Sequence, residues 1–253
     1  MIGVFDSGVG GLSVVKEIFK ELPQYPLIYF GDTARLPYGT KGADFVKRYS
    51  AKIIDWLLKR GAEIIVIACH TSSSWAADFL KNKFKGVPIF EMLGPAIKEV
   101  SGKKIGIIGT PGTIKSGSWE KKLLEFNPKL KIYSRACPLF VPLVEEGWIN
   151  KKITREVAGE YLKEFKNRGV DNLILACTHY PMLERVIRRA VGSGVRVINP
   201  AESVARELKF FLADKEPLIG KTQFFFSDQP YNLDKISRLC LNQKIRPIIK
   251  DPF

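Results

Sequence analysis

Apolar positions along the chain fall into two alternating patterns. Short apolar runs at residues 2–5, 27–30, 64–68, 105–108 and 173–176 are too brief and too rich in β-branched side chains for buried helices, and they predict buried strands. Between them, residues 45–59, 75–84 and 153–166 repeat apolar side chains at helical spacing. This alternation predicts an α/β fold whose sheets are mainly parallel and flanked by helices. Ligands collect at the carboxyl ends of such strands, so chemistry is to be sought in the residues that follow each run.

Two of those strand ends are alike. Ile64-Ile65-Val66-Ile67-Ala68-Cys69-His70-Thr71 is echoed by Leu173-Ile174-Leu175-Ala176-Cys177-Thr178-His179, and residues 2–5 correspond to 105–108 at a similar offset. The pattern predicts two related α/β domains. Residues 1–94 with a returning tail, 208–253, form the first, and 95–207 the second.

Composition acts mainly by exclusion. The 253 residues are 45% hydrophobic and 26% charged, which argues against disorder and against a coiled coil. No run approaches the roughly 20 apolar residues of a membrane span, and the opening residues read as a strand, not a signal peptide. A cytoplasmic protein with no membrane partner is expected. Lys and Arg number 40 against 26 Asp and Glu, a net charge of +14 that attracts anions of every kind. The basic residues are dispersed, in pairs such as Lys121-Lys122, with no aromatic-and-basic signature beside them. No nucleic-acid partner is therefore expected, and a basic nucleic-acid-binding protein stays as the remote alternative of another class.

Two glycine-rich loops fail as nucleotide sites. Gly8-Val9-Gly10-Gly11-Leu12-Ser13 has Ser13 in place of the third glycine of the dinucleotide fingerprint. In Gly109-Thr110-Pro111-Gly112-Thr113-Ile114-Lys115-Ser116, the Cβ of Ile114 obstructs the wrapping that a phosphate loop needs.

Cys69, Cys137, Cys177 and Cys240 include no C-x-x-C pair, and free thiols are expected. Zinc accepts two Cys and two His ligands. However, Cys69 and His70 are adjacent at a strand end, where neighbouring side chains diverge, and the usual spacer is missing. A Cys-His hydrolase leaves the second cysteine unexplained. Inversion of a carbon stereocentre uses both. One sulfur removes a proton from one face, the other returns a proton to the opposite face, and the reverse reaction exchanges their roles. With an unperturbed thiol pKa of about 8.5, the acting base needs a polar helper.

Phe5-Asp6-Ser7-Gly8-Val9-Gly10-Gly11-Leu12, Gly31-Asp32-Thr33-Ala34-Arg35-Leu36-Pro37-Tyr38-Gly39, Ala68-Cys69-His70-Thr71 and Cys177-Thr178-His179-Tyr180-Pro181 together resemble the cofactor-independent glutamate racemases. The likeness covers most of the chain, including residues 105–115 and 136–143. It implies two α/β domains with the active site between them, commonly as a homodimer. It also implies interconversion of L- and D-glutamate by a Cys/Cys two-base mechanism without cofactor or metal, supplying D-glutamate for peptidoglycan. A racemase of aspartate or another amino acid is the alternative.

The same resemblance implies residue roles. Cys69 would exchange the proton with D-glutamate and Cys177 with L-glutamate, with Asp6 the helper of Cys69 and His179 that of Cys177. Glu146 would join this acid/base set. Ser7, Pro37, Tyr38, Gly39, Thr71, Thr113 and Thr178 would hold the carboxylates and amine. Where the family usually carries Asn after the first cysteine this chain has His70, a bulkier donor that can acquire charge. Plainer readings stand beside these: Asp6 as a helix cap, His179 as a core histidine, Glu146 as a solvated carboxylate and the cysteines as small buried hydrophobes. Asp32 and Arg35 read as a pair that shapes its own loop.

Overall fold

A computed structural model of the chain describes residues 1–215 and 220–253. The first half runs β1 (Ile2–Asp6), α1 (Leu12–Glu21), β2 (Leu27–Gly31), α2 (Ala43–Leu58), β3 (Ile64–Ile67), α3 (His70–Lys83), β4 (Ile89–Glu91) and α4 (Leu93–Ile97). The second runs β5 (Lys104–Gly109), α5 (Pro111–Lys115), α6 (Ser118–Phe126), β6 (Lys131–Ala136), α7 (Phe140–Glu145), α8 (Lys152–Arg168), β7 (Asn172–Ala176), α9 (Glu184–Val191) and β8 (Arg196–Ile198). Then come α10 (Pro200–Leu212), β9 (Gln223–Phe226), α11 (Leu233–Leu241) and β10 (Pro247–Ile249).

Every strand pairs in parallel with its neighbours, in a six-stranded sheet of order β10-β9-β2-β1-β3-β4 and a four-stranded sheet of order β6-β5-β7-β8. The chain after residue 222 thus rejoins the first sheet beside β2. The expected point of return, residue 208, falls inside α10, which packs against α1 and α4. Helix α3 starts at His70, five residues before its apolar pattern begins, because its first turn buries polar side chains, Thr71, Ser72 and Ser73. Among the described residues no helix is long and apolar enough to cross a membrane.

Side chains alternate across the first sheet as strand geometry requires. Phe5, Ile28, Phe30, Ile65, Ile67 and Phe225 pack on one face against Ile53, Trp56 and Leu57 of α2 and Leu80 of α3. Ile2, Val4, Leu27, Tyr29, Val66, Phe224 and Phe226 occupy the other face with Val14 and Ile18 of α1. That second cluster continues without a break through Ala96, Val204 and Leu208 into Ile107, Leu173 and Ile174 of the second sheet. One apolar core therefore joins the two halves.

Phe226 is fully buried in this shared core, on the strand that returns. Phe226→Ala is expected to lower the unfolding free energy by about 3–5 kcal/mol, read from urea denaturation with an unchanged m value. A midpoint equal to that of the parent chain would show that β9 is not part of the cooperative core.

Candidate active site

The segments that follow β1, β2, β3, β5 and β7 converge, with α7, on one cavity of about 250 Å³. This is smaller than the 300–1,000 Å³ or so of sites for drug-sized ligands. Cys69 and Cys177 both line it. Its walls include Ser7 and Gly8 after β1, Leu36, Pro37, Tyr38 and Gly39 after β2, and Thr110 after β5. Val141, Pro142 and Glu145 of α7 close another side. Two glycines let the halves approach: a Cβ on Gly10 would stand 2.5 Å from the His179 ring, and one on Gly39 would stand 2.7 Å from Thr110 Cβ.

Cys69 immediately precedes α3, whose first-turn amides put a partial positive charge beside the cavity. Its Sγ lies 3.8 Å from Ser7 Oγ. Burial, and after it the charge of Asp6, push the Cys69 thiol up to about 11, so it rests protonated. Asp6 lies behind the wall, 1% exposed, where Oδ2 accepts from the Gly8 amide at 3.0 Å and Oδ1 from Thr178 Oγ1 at 3.5 Å. Burial raises the Asp6 carboxyl above its ordinary range, against the lowering effects of His179 and nearby amides.

The second thiol has a different setting. Cys177 Sγ stands 3.9 Å from His179 Nδ1, and His179 Nε2 stands 3.0 Å from Glu145 Oε1. Burial opposes a charge on this ring, but its bonds to Cys177 and Glu145 prevail and push His179 up to about 10. At neutral pH it is an imidazolium with both N–H groups engaged. Ser13 Oγ donates to the Thr178 carbonyl at 2.7 Å and fixes the turn that carries these groups.

Of the expected site residues, Ser7, Pro37, Tyr38, Gly39, Cys69, His70, Thr71, Cys177, Thr178 and His179 line the cavity. Asp6 and Thr113 stand directly behind it; the Thr113 hydroxyl lies 3.2 Å from that of Thr71 and 3.0 Å from that of Thr110. Glu146 is outside. It caps the end of α7, its carbonyl accepts from Lys235 Nζ at 2.9 Å, and it borders a neighbouring depression with Tyr231. The carboxylate on the cavity side is Glu145, because residues four apart share a helix face and 145 shares that of Val141. Thr110 also escaped the sequence reading, although a Thr between a strand end and Pro111 signals a helix cap, and its Oγ1 accepts from the Thr113 amide. Among the described residues no three His, Cys, Asp or Glu side chains converge as a metal would require.

A family model described as Asp/Glu/hydantoin racemase matches residues 2–208. The chain belongs to the Asp/Glu/hydantoin racemase family. Glutamate racemase of Geobacter metallireducens is 41% identical over 253 aligned residues, which cover 96% of this chain and 93% of that protein. A crystal structure of a glutamate racemase isoform from Bacillus anthracis superposes with a TM-score of 0.92 at 33% identity, covering 100% of this chain and 97% of that one. Glutamate racemase of Francisella tularensis, solved in complex with D-glutamate, gives a TM-score of 0.91 at 32% identity, covering 98% and 96%. This chain is accordingly an amino-acid racemase.

In this racemase His70 sits in the first turn of α3 with its ring 6.0 Å from that of Trp119 and 23° from parallel. Its Nδ1 is buried without a hydrogen-bond partner among the described residues. Burial pushes His70 down to about 3, so the ring is neutral throughout the physiological range. An unfolded histidine, by contrast, takes up a proton near pH 6.5. Below that pH the unfolded chain binds more protons than the native one, and stability falls as the pH falls towards 3. His70→Asn is expected to flatten the fall between pH 6 and pH 4.5 by up to about 1.4 kcal/mol per pH unit, measured by denaturant titration at each pH. Parallel stability curves for the two proteins would refute a buried neutral His70.

Proposed function

We propose that this racemase interconverts L- and D-glutamate with Cys69 and Cys177 as opposed acid and base, and without a cofactor. The observation that carries the reading is the meeting of two thiols, each with its own polar partners, in one small cavity. In the direction from L to D, the Cys177 sulfur takes the Cα proton, and the positive charge of His179 beside it is the setting that a thiolate base needs. Cys69, held protonated by burial, delivers its proton to the opposite face. The turnover leaves Cys177 as thiol and Cys69 as thiolate, ready for the reverse reaction or for proton exchange with solvent.

The wall contains no Lys or Arg among the described residues. Two substrate carboxylates would therefore be held by hydroxyls and amides. Ser7, Thr71, Thr110 and Thr178, the first turn of α3 and the 37–39 backbone supply such donors around the cavity, with Thr113 supporting Thr71 and Thr110 from behind. Relatives at about 40% identity are glutamate racemases, and one structural neighbour was solved in complex with D-glutamate, which supports glutamate over aspartate. D-glutamate formed here would serve peptidoglycan synthesis.

Each enantiomer of glutamate, and then of aspartate, is to be incubated with pure protein in D₂O with no cofactor added. Racemisation of glutamate with deuterium entering Cα is expected, and Cys69→Ser and Cys177→Ser should each lose at least about a hundredfold in rate, the contribution of one general acid or base. Full activity in either serine variant would rule out the two-thiol mechanism. Racemisation of aspartate but not of glutamate would overturn the substrate.

Glu145 and Glu146 separate in the same assay. Glu145→Gln should slow L-glutamate consumption about tenfold or more, whereas Glu146→Gln should stay within about twofold of the parent. His179 is charged below its raised pKa, so activity that needs the imidazolium persists through neutral pH and is lost as pH rises through about 10. With the Glu145 charge removed, that loss should move to lower pH. An unmoved alkaline limb in Glu145→Gln would exclude this pairing.

A further inference from the structure

The wall formed by Leu36, Pro37, Tyr38 and Gly39 belongs to a loop with no strand of its own, held by a chain of contacts that ends far away in sequence. Asp32 opens this loop with its side chain wholly buried. One of its oxygens accepts from Tyr38 Oη at 2.6 Å and the other from Arg35 Nη1 at 2.7 Å. A buried carboxylate needs both partners, and removing one leaves an uncompensated charge. The Arg35 guanidinium is held in turn by Asp251, whose two oxygens lie 2.8 and 2.7 Å from Nη2. Phe253 completes the seat. Its carbonyl accepts from Nη2 at 3.0 Å, its ring lies 5.5 Å from Arg35 Cζ, and Tyr49 stacks 4.8 Å from Cζ on another side. Phe253 is anchored in the core, 5.8 Å from the Phe30 ring.

We propose that Asp251 is a positioning residue for the substrate: through Arg35, Asp32 and Tyr38 it sets the placement of the 36–39 wall, so a residue beyond the last strand governs substrate affinity. The effect falls on binding more than on the chemical step, because the loop contributes backbone and apolar wall but neither thiol. Arg35 rather than Lys is required, since one guanidinium must serve two carboxylates and a carbonyl at once. The inference rests on the glutamate racemase reading for its kinetic arm alone.

The test compares Asp251→Ala, Asp251→Asn and Asp251→Glu with the parent by steady-state glutamate racemisation and by amide hydrogen exchange of peptides spanning residues 32–41. Asp251→Ala is expected to raise KM for glutamate about five- to tenfold with kcat within about twofold, and to speed exchange in this loop at least tenfold. Asp251→Asn should behave similarly, while Asp251→Glu should recover most of both. A KM within twofold of the parent in the Ala and Asn variants, or KM and kcat falling away together, overturns the proposal. Unaltered exchange at 32–41 overturns it independently of any activity. Should the parent itself fail to racemise glutamate, the substrate reading fails and the exchange measurement still decides whether the clamp exists.

Discussion

The cleft depends on one apolar core that never divides. Two parallel sheets would each suffice for a small domain, but Ile2, Val4, Tyr29 and Phe226 of the first are continuous through α4 and α10 with Ile107 and Leu173 of the second. This continuity turns the carboxyl ends of both sheets towards one space. Polar strand ends that would otherwise face bulk water then meet each other across about 250 Å³. The close backbone approaches at Gly10 and Gly39 follow from that packing, since any side chain there would drive the halves apart.

Burial on this scale dictates the electrostatics. With no Lys or Arg in the wall among the described residues, ionised groups are supported by amides, by hydroxyls and by one ring. Asp6 loses solvent and is driven towards its neutral form, and its charge when present drives Cys69 towards the thiol. His179 resists the same burial only because Cys177 and Glu145 occupy both of its nitrogens. The two sulfurs therefore have different partners: Cys69 lies near Ser7 and is affected by the charge of Asp6, whereas Cys177 lies beside the His179 ring.

What the sequence revealed follows burial. The five runs recognised as strands, β1, β2, β3, β5 and β7, are all interior to their sheets and apolar because both faces are covered. The edge strands β4, β6, β8 and β10 were missed, and so was the interior strand β9, whose buried apolar run is only Phe224-Phe225-Phe226. In β6, Lys131-Ile132-Tyr133-Ser134-Arg135-Ala136 is exposed or half-buried throughout, so the apolar signature is absent. Strand-end motifs located most of the wall, since ligand-facing residues in a parallel sheet follow its central strands. The carboxylate on α7 was less legible: Glu145 and Glu146 are neighbours in sequence, and only the helix phase set by Val141 separates them. Helix α3 began unrecognised for a related reason. Its first turn faces a polar cleft and carries Thr71, Ser72 and Ser73 where a core-facing helix would be apolar.

The repeated motif shows how similar halves acquire different chemistry. After Cys69 the chain enters a helix at once, so the histidine at the next position lies in its first turn, stacks on Trp119 and stays neutral. After Cys177 the chain turns first, through Thr178 and a 3-10 segment Tyr180–Leu183, before α9 starts. A histidine two residues on then reaches back to the sulfur and meets Glu145 across the cavity. Moving one histidine by one position, and delaying one helix by a few residues, converts a neutral ring packed on tryptophan into a charged partner of the thiol. The difference between the surroundings of the two cysteines is thus built from local chain geometry, from where each helix starts after its strand and from which position carries the histidine.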